Sequence, residues 1–395
     1  MKKLLMLGGA NSQLPAIKRA KELGYYVITC DYLPENPGHK ISDEYVNVST
    51  VDQEAILKLA LEHKIDGIIA YASDPSAESA AYVIDQIGLA GTGYAATEIL
   101  AEKDKFRMFQ SKYGFNTPKF VSISSMEELE KQIENIPIPC IVKPVDSSGS
   151  KGITRIYTRN EIKTAYLYAD QFSRAGRTIF EEIIDSPFCQ LHGDGVVYHG
   201  ELVFMELGDQ RFRDNVPIGS SCPSTLYGKM KAEIWKEVER LLQEVKFIEG
   251  GINVEVRVSM DYDIYIIEIG PRTGGNYVPQ LMEVATGYDE MTSVIQMAMG
   301  DYHATPNRWS NIGYAWQYIV GAKKNGIYKE LWIHDEIKDR IKYLYIHKKE
   351  GDKINDYRNS SGVVGVVILC FELLEEMENI IENVDDYIKV VMEDI

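Results

Sequence analysis

The sequence lacks the signatures of several large protein classes. Its five cysteines in 395 residues include no Cys-x-x-Cys pair, which argues against a disulfide framework or a zinc site and indicates a reducing compartment. Its seven histidines show no ligand spacing. The longest apolar run, residues 362–371, is far too short to cross a bilayer, and the N-terminus starts with a strand-like run instead of a signal peptide. We therefore expect a cytoplasmic protein without a membrane partner.

Basic charge is also scarce. The chain has 42 Lys and Arg against 59 Asp and Glu, a net charge of −17 at pH 7. Binding to a nucleic-acid backbone requires a basic face, so no nucleic-acid partner is expected. A local cluster of basic residues can still bind a small anion. The length is too great for one ordinary core and predicts two or three domains.

The first hundred residues alternate strand and helix, which predicts a doubly wound parallel sheet. A glycine turn, Gly8 to Ser12, follows the first strand, and Asp31 falls about where a ribose-binding acid would lie. The turn lacks Gly-x-Gly-x-x-Gly, however. A dinucleotide-dependent oxidoreductase is therefore an alternative that the turn does not favour.

A pair of glutamates marks the central part of the chain. Residues 253–258 and 263–269 are rich in β-branched and aromatic side chains and predict a hairpin. A two-residue or four-residue loop places Glu255 and Glu268 on one face, whereas a three-residue loop separates them. Facing carboxylates repel by about 4 kcal/mol at ~4 Å and a dielectric constant of ~20. Either a divalent cation such as Mg²⁺ relieves this repulsion, or Arg257 neutralises the site without a metal.

Two upstream segments carry basic residues suited to phosphate. Lys143 lies inside a short apolar strand, and the glycine-serine loop Ser147 to Gly152 follows it. The loop lacks the order Gly-x-x-x-x-Gly-Lys-Ser/Thr, but its bare backbone N–H groups suit a lid over phosphates. Lys103 lies on a segment, residues 97–113, that predicts one helix.

The remaining segments are less informative. Residues 178–185 predict a strand that carries the neighbouring acids Glu181 and Glu182, and residues 208–224 predict a long polar loop. Arg211 and Arg213 on that loop are candidates to hold a substrate carboxylate or phosphate. The chain beyond residue 306 predicts several strands and a final acidic helix.

The order of these features resembles the ATP-grasp superfamily: a lysine helix, a strand lysine, a glycine-serine loop, an acidic strand and a glutamate hairpin that ends in Arg272. The resemblance implies a mixed α/β and α+β fold. It divides the chain into an N-terminal doubly wound parallel sheet (the pre-ATP-grasp domain, 1–100), a central two-lobed ATP-grasp domain with antiparallel sheets (101–305) and a small C-terminal α+β domain (306–395). The lid subdomain of the central domain would cover about 115–180.

The resemblance also implies roles for single residues. Arg272 and Lys143 would be catalytic, and Glu255 and Glu268 would bind the metal. Relatives carry asparagine where this chain has Gly270, so Asn253, opposite Gly270 in a two-residue register, would substitute as a ligand. The implied nucleotide contacts are Lys103, Lys143, Ser147, Ser148, Gly149, Ser150, Gly152, Glu181, Glu182 and Ile184.

The function implied is an ADP-forming ligase that uses ATP and Mg²⁺, with Mn²⁺ as an alternative metal. It would activate a carboxylic acid as an acyl phosphate and couple it to an amine, both small molecules. The alternatives are a purine-biosynthesis ligase of the phosphoribosylglycinamide synthetase type and a nucleotide-binding protein without turnover. A homodimer is one expected assembly.

Overall fold

The computed structural model describes residues 1–213, 216–303, 310 and 312–393 of the chain. Over these residues no helix is both long enough and apolar enough to span a membrane. The predicted domain boundary between residues 305 and 306 lies outside the described residues.

The N-terminal residues form a parallel sheet that is covered on both faces, as predicted. Side chains alternate along its central strand: Leu4 and Met6 lie in one core with the first helix, and Leu5 and Leu7 lie in another core with the next two helices. The strands, in the order β3-β2-β1-β4, are β1 (Lys3–Leu7), β2 (Tyr26–Cys30), β3 (Glu44–Val46) and β4 (Gly67–Ile69). The helices are α1 (Leu14–Glu22), α2 (Gln53–His63) and α3 (Asp74–Ile87).

Residues 97–113 form parts of two helices, so the prediction of a single helix there is wrong. The helices are α4 (Tyr94–Ala101) and α5 (Lys103–Lys112). Glu102 between them is extended, with φ −100° and ψ 115°. The break places Lys103 at the start of α5, where its backbone N–H donates to Val145 O at 3.0 Å.

Residues 120–182, which include most of the predicted lid subdomain, form a small antiparallel sheet with two helices. In the described part of the chain its strand order is β5-β8-β6-β7. Its core includes Cys140, Val142 and Phe180 from the strands and Tyr166 from a helix. The elements are β5 (Phe120–Ile123), α6 (Met126–Gln132), β6 (Cys140–Pro144), β7 (Thr154–Ile156), α7 (Ile162–Asp170) and β8 (Thr178–Glu182).

A second sheet carries the hairpin. Within the described ranges it has eight strands in the order β13-β12-β9-β10-β11-β14-β18-β16. Its strands from the centre of the chain are β9 (Leu191–Tyr198), β10 (Glu201–Arg213), β11 (Val216–Cys222), β12 (Gly250–Val258) and β13 (Ile264–Gly270). The helices of this region are α8 (Thr225–Val245), α9 (Val278–Thr286) and α10 (Glu290–Ala298).

The prediction of a long polar loop over residues 208–224 is wrong, because strands β10 and β11 pair there. The polar residues reflect strand alternation: Gln210 lines a pocket, whereas its neighbour Arg211 pairs with Glu378 near the C-terminus.

The C-terminal residues complete the large sheet and add a smaller one. Strands β14, β18 and β16 continue the large sheet from β11, and β17, β15 and β19 form the smaller sheet. The strands are β14 (Tyr314–Gly321), β15 (Gly326–Ile333), β16 (Ile341–Ile346), β17 (Lys353–Ile354), β18 (Val363–Phe371) and β19 (Ile388–Glu393). The helices are α11 (Asp335–Lys338), α12 (Leu374–Glu382) and α13 (Val384–Tyr387). The predicted final helix is therefore followed by a strand, β19, which pairs with β15.

Candidate functional site

The two glutamates lie opposite each other in the β12–β13 hairpin, and Asn253 lies opposite Gly270. The loop is neither the two-residue nor the four-residue loop that would by itself place the glutamates on one face. Ser259 N–H donates to Asp263 O at 2.9 Å, which leaves a three-residue turn that would separate the glutamates. A β-bulge between Glu255 and Val256 restores the register, because the partner strand has one extra residue, Ile267, there.

Burial and repulsion act together on Glu255. Burial, followed by the negative charge of Glu268, raises the pKa of Glu255 to about 7. Gln190 Nε2 donates to Glu255 Oε2 at 2.9 Å, and Arg257 Nε donates to Gln190 Oε1 at 3.1 Å. Gln190 thus lies between Arg257 and Glu255 and contacts both side chains.

Lys143 belongs to a buried charge cluster. Its Nζ lies 2.7 Å from Glu181 Oε2, and Arg107 Nε lies 3.1 Å from Glu181 Oε1. Burial lowers the pKa of Lys143, while Glu181 opposes that shift. Burial would raise the pKa of Glu181, but Arg107 and Lys143 more than offset it and hold that pKa below its ordinary value. The cluster therefore presents a cationic surface whose acid is already neutralised.

Lys103 connects the hairpin to the glycine-serine loop. Its Nζ donates to Ser147 O at 2.9 Å and lies 3.9 Å from Glu268 Oε2. Gly149 has φ +67°, which favours glycine, and Ser360 N–H donates to its carbonyl oxygen at 3.2 Å. The loop thus lies between α5 and a segment near the C-terminus.

Arg272 follows β13 and is held by Asp74 at the start of α3. Its Nε donates to Asp74 Oδ1 at 2.6 Å, and its Nη1 donates to Thr273 O at 2.8 Å. The Arg272 side chain is 9% exposed. Its guanidinium group therefore has a defined orientation at the edge of the pocket described next.

One pocket of about 730 Å³ brings most of the predicted site residues together. Gly152, the last residue of the loop, does not line this pocket. A Cβ there would lie 2.8 Å from Pro144 Cγ, so Gly152 packs against Pro144. The predicted residues that line the pocket are Lys103, Lys143, Ser147, Ser148, Gly149, Ser150, Glu181, Glu182, Ile184, Asn253, Glu255, Glu268 and Arg272.

Arg211 and Arg213, the predicted substrate anchors, face the opposite side of β10. Arg211 Nη2 lies 2.6 Å from Glu378 Oε1, and Arg213 Nη2 lies 3.4 Å from Asp385 Oδ1. That prediction is wrong because the residues are on a strand, where neighbouring side chains alternate.

Sequence reasoning also missed several residues of the site. Gln190 and His192 line the pocket from β9 or just before it, and fully buried Arg107 supports Glu181. The local signal that could have identified Arg107 is its position between Phe106 and Met108 in a predicted helix, which is unusual for a charged residue. Burial lowers the pKa of His192 to about 4, with Arg272 adding to the effect, so this imidazole is neutral at pH 7.

The N-terminal glycine turn is covered by the chain itself. Gly38 N–H donates to Gly9 O at 2.7 Å, and a Cβ on Gly9 would lie 2.4 Å from the His39 ring. The space above the turn, where a dinucleotide pyrophosphate would lie, is filled by residues 37–40. This packing argues against the oxidoreductase alternative.

Comparison with known families identifies the central region. Residues 136–280 match the family model described as the ATP-grasp domain. The chain carries an ATP-grasp domain. The predicted resemblance is thus confirmed, and the matched residues include the glycine-serine loop, the acidic strand β8 and the hairpin with both glutamates.

Curated relatives match this chain over part of their length. It is 27% identical over 262 residues to the carbamoyl phosphate synthase large chain of Thermotoga maritima, covering 64% of this chain and 23% of that protein. It is 30% identical over 187 residues to the formate-dependent phosphoribosylglycinamide formyltransferase of Prochlorococcus marinus (strain NATL2A), covering 47% of this chain and 48% of that protein. The chain thus spans about half or less of each of these two relatives.

Solved structures match the whole fold. An L-amino acid ligase from Bacillus licheniformis has a TM-score of 0.84 at 21% identity and covers 100% of this chain and 99% of that chain. Phosphoribosylglycinamide synthetase from Anaerococcus prevotii has a TM-score of 0.78 at 23% identity and covers 99% of this chain and 100% of that chain. At these identities the likeness shows the shared fold, including the predicted combination of a parallel N-terminal sheet with antiparallel sheets.

Proposed function

We propose that this ATP-grasp protein is an ADP-forming ligase that activates a carboxylic acid as an acyl phosphate and couples it to an amine. One observation carries the proposal: Glu255 and Glu268 face each other inside the pocket that also holds Lys103, Lys143 and Arg272. Opposed carboxylates suit a divalent cation, and the basic side chains suit phosphate oxygens.

The residues present fit Mg²⁺, or Mn²⁺ in its place. Glu255, Glu268 and the Asn253 amide supply oxygen ligands, which hard cations prefer. The hydrogen bonds of Asn253 to Gly193 O and Asp194 Oδ1 are donated by Nδ2, at 2.9 and 2.8 Å, which leaves Oδ1 available. Among the described residues, no cluster of three or more His, Cys, Asp or Glu side chains is arranged to bind a metal, so the proposed site has only two carboxylates. A site with few protein ligands suits Mg²⁺, because Mg²⁺ usually keeps waters and substrate phosphates as ligands.

The basic residues bind and orient the triphosphate. Lys103 and Lys143 neutralise its negative charge, and the backbone N–H groups of the loop cover it. A bound metal supplies further neutralisation of charge on the phosphate oxygens. Because the transferred phosphoryl group carries spread negative charge, positioning and electrostatic stabilisation provide most of the catalysis.

Activation explains why the pocket needs no side-chain nucleophile. A free carboxylate reacts poorly with an amine because its leaving group would be oxide. Transfer of the γ-phosphoryl group of ATP to a carboxylate oxygen releases ADP and gives an acyl phosphate. The amine then attacks the carbonyl carbon, the C–O bond to phosphate breaks, and the amine proton is lost to solvent. Arg272, at the edge of the pocket, steadies the transferred phosphate.

The deciding experiment is a screen of acids and amines for ADP and phosphate release. We would test amino-acid pairs, and formate with phosphoribosylglycinamide, with ATP and MgCl₂. ADP release that requires both an acid and an amine supports the ligase. The acid–amine pair that succeeds also separates amino-acid ligation from a purine-biosynthesis reaction. ATP binding without ADP release in any combination would favour the nucleotide-binding alternative.

A further inference from the structure

Asp74 lies outside the matched ATP-grasp region but contacts its catalytic arginine. It is the first residue of α3, directly after the N-terminal sheet. Its Oδ1 accepts from Arg272 Nε at 2.6 Å and lies 2.5 Å from Nη2. An acid at the start of α3 therefore fixes two nitrogens of an arginine that follows strand β13.

The same carboxylate lies beside the glycine-serine loop. Burial raises the Asp74 pKa, but Arg272, followed by Lys103 and by Ser148 of the loop, more than offsets this effect and lowers that pKa. Ser148 and Asp74 both line the large pocket, as does Arg272. One side chain thus borders both the loop and the arginine that would contact the transferred phosphate.

The backbone around Asp74 supports a fixed position. Ala72 has φ +52°, a conformation that is unfavourable for residues other than glycine. Its N–H donates to Thr273 Oγ1 at 3.2 Å, so residues 72–74 are tied to residues 272–273 at two adjacent points. Strained backbone of this kind persists where the surrounding structure imposes it, and such sites cluster near function.

We propose that Asp74 is a positioning residue that sets the orientation of Arg272 and docks the glycine-serine loop onto the pocket. The part concerning Arg272 rests on the proposed ligase function, whereas the docking of the loop does not. Because both partners share one carboxylate, release of the loop and reorientation of Arg272 are coupled.

Proteolysis tests the docking without any substrate. Lys151 is exposed in the loop, so trypsin reports how often this segment detaches. We expect Asp74→Ala to increase the rate of cleavage after Lys151 by about tenfold, because the loss of one charge-assisted hydrogen bond makes the open loop about tenfold more populated. Ser73→Ala is the matched control, since Ser73 Oγ contacts Ser76 Oγ at the same helix start. Cleavage of Asp74→Ala at the wild-type rate would overturn the docking.

Kinetics test the orientation of Arg272. We expect Asp74→Asn, which keeps the shape but loses the charge, to lower kcat for ADP formation by about tenfold to hundredfold. KM for ATP should change by less than about threefold, a split that a general loss of structure would not produce. Asp74→Glu should recover part of the rate. An unchanged kcat would overturn the positioning role.

The two measurements separate the inference from the ligase proposal. If the wild type forms no ADP with any acid and amine, the ligase proposal fails, while the trypsin result still decides the docking. If Asp74→Ala does not fold, Asp74→Asn carries both tests, with accelerated cleavage again expected.

Discussion

At the scale of single residues, the pocket is organised by charges that face each other across short distances. The Glu255 carboxylate opposes that of Glu268, and Lys143 pairs with buried Glu181. Each pair would be unfavourable if one partner were missing or if no counter-charge were bound. Substitutions that change charge but not size therefore test the roles of these residues most directly.

Glu268→Gln removes one charge of the proposed metal pair at nearly constant volume. We expect Mg²⁺-dependent ADP formation to fall by about a hundredfold or more, because charge neutralisation at the phosphates is lost. Initial rates at saturating ATP measure this, and the unfolding midpoint should stay near that of the wild type. Wild-type turnover would count heavily against the metal assignment.

Lys143→Met should weaken ATP binding by about tenfold to hundredfold, because it removes one hydrogen bond between charged groups. Titration calorimetry on the folded protein measures the dissociation constant. Lys119→Met is the control, since Lys119 is 81% exposed and lies 3.8 Å from Glu182. An unaltered dissociation constant for Lys143→Met would remove this lysine from the nucleotide site.

The buried carboxyl group of Glu290 makes the stability of the fold depend on pH. It is fully buried, and burial followed by the charge of Asp194 raises its pKa well above the ordinary value. The folded state therefore keeps a proton that the unfolded state releases above pH ~4.5, so this group makes unfolding easier as the pH rises. We expect the unfolding free energy of Glu290→Gln to fall less than that of the wild type between pH 5 and pH 9. Parallel pH profiles from urea unfolding would contradict this.

At the scale of secondary-structure elements, helix α5 covers the outer edge of strand β13. Arg107 Nη2 donates to Ile267 O at 2.7 Å, and Gln110 Nε2 donates to Ile266 O at 2.8 Å. The bulge that aligns the glutamates thus has its extra carbonyl oxygen satisfied by a buried arginine. Covering an edge in this way also blocks pairing with another chain.

Arg107→Met should destabilise the fold by about 3–5 kcal/mol, because Glu181 loses a buried partner and Ile267 O loses its donor. Chemical unfolding measures the change. Lys112→Met, on the exposed end of the same helix, should change stability by less than about 0.5 kcal/mol. Equal small effects of the two substitutions would show that the Arg107 cluster contributes little to stability.

At the scale of the whole molecule, the large sheet crosses the predicted domain boundary. Strand β14 pairs with β11, and β18 pairs with β14. The Tyr357 hydroxyl donates to Pro217 O at 2.7 Å, a further tie between the C-terminal residues and the sheet. The C-terminal strands are thus part of the structure that carries the site.

A chain that ends at Gly300 should therefore not fold stably. The truncation would expose the buried edge of β11 and leave Ile218 without core partners such as Trp316 and Leu369. We expect the full-length chain to show a cooperative thermal transition by circular dichroism and the truncated chain to show none. A sharp transition at the full-length midpoint would show that the first 300 residues form an autonomous unit.

The sequence by itself determined the features that depend on neighbours in the chain. Alternating strands and helices predicted the parallel sheet, and the order of lysines, loop and glutamates predicted the ATP-grasp family. The individual strands, helices and turns follow from side-chain period and turn residues over a few positions, whereas the family resemblance follows from the order of several such segments along the chain.

Only the tertiary structure decided the features that depend on distant partners. The bulge at Ile267 restored the glutamate register that the loop alone would have broken. Arg107 pairs with Glu181, and Asp74 pairs with Arg272, although the partners are far apart in the sequence. Arg211 was turned away from the pocket by strand pairing. A charged residue shows its partner only once packing has set which groups are buried together, and no local pattern contains that information.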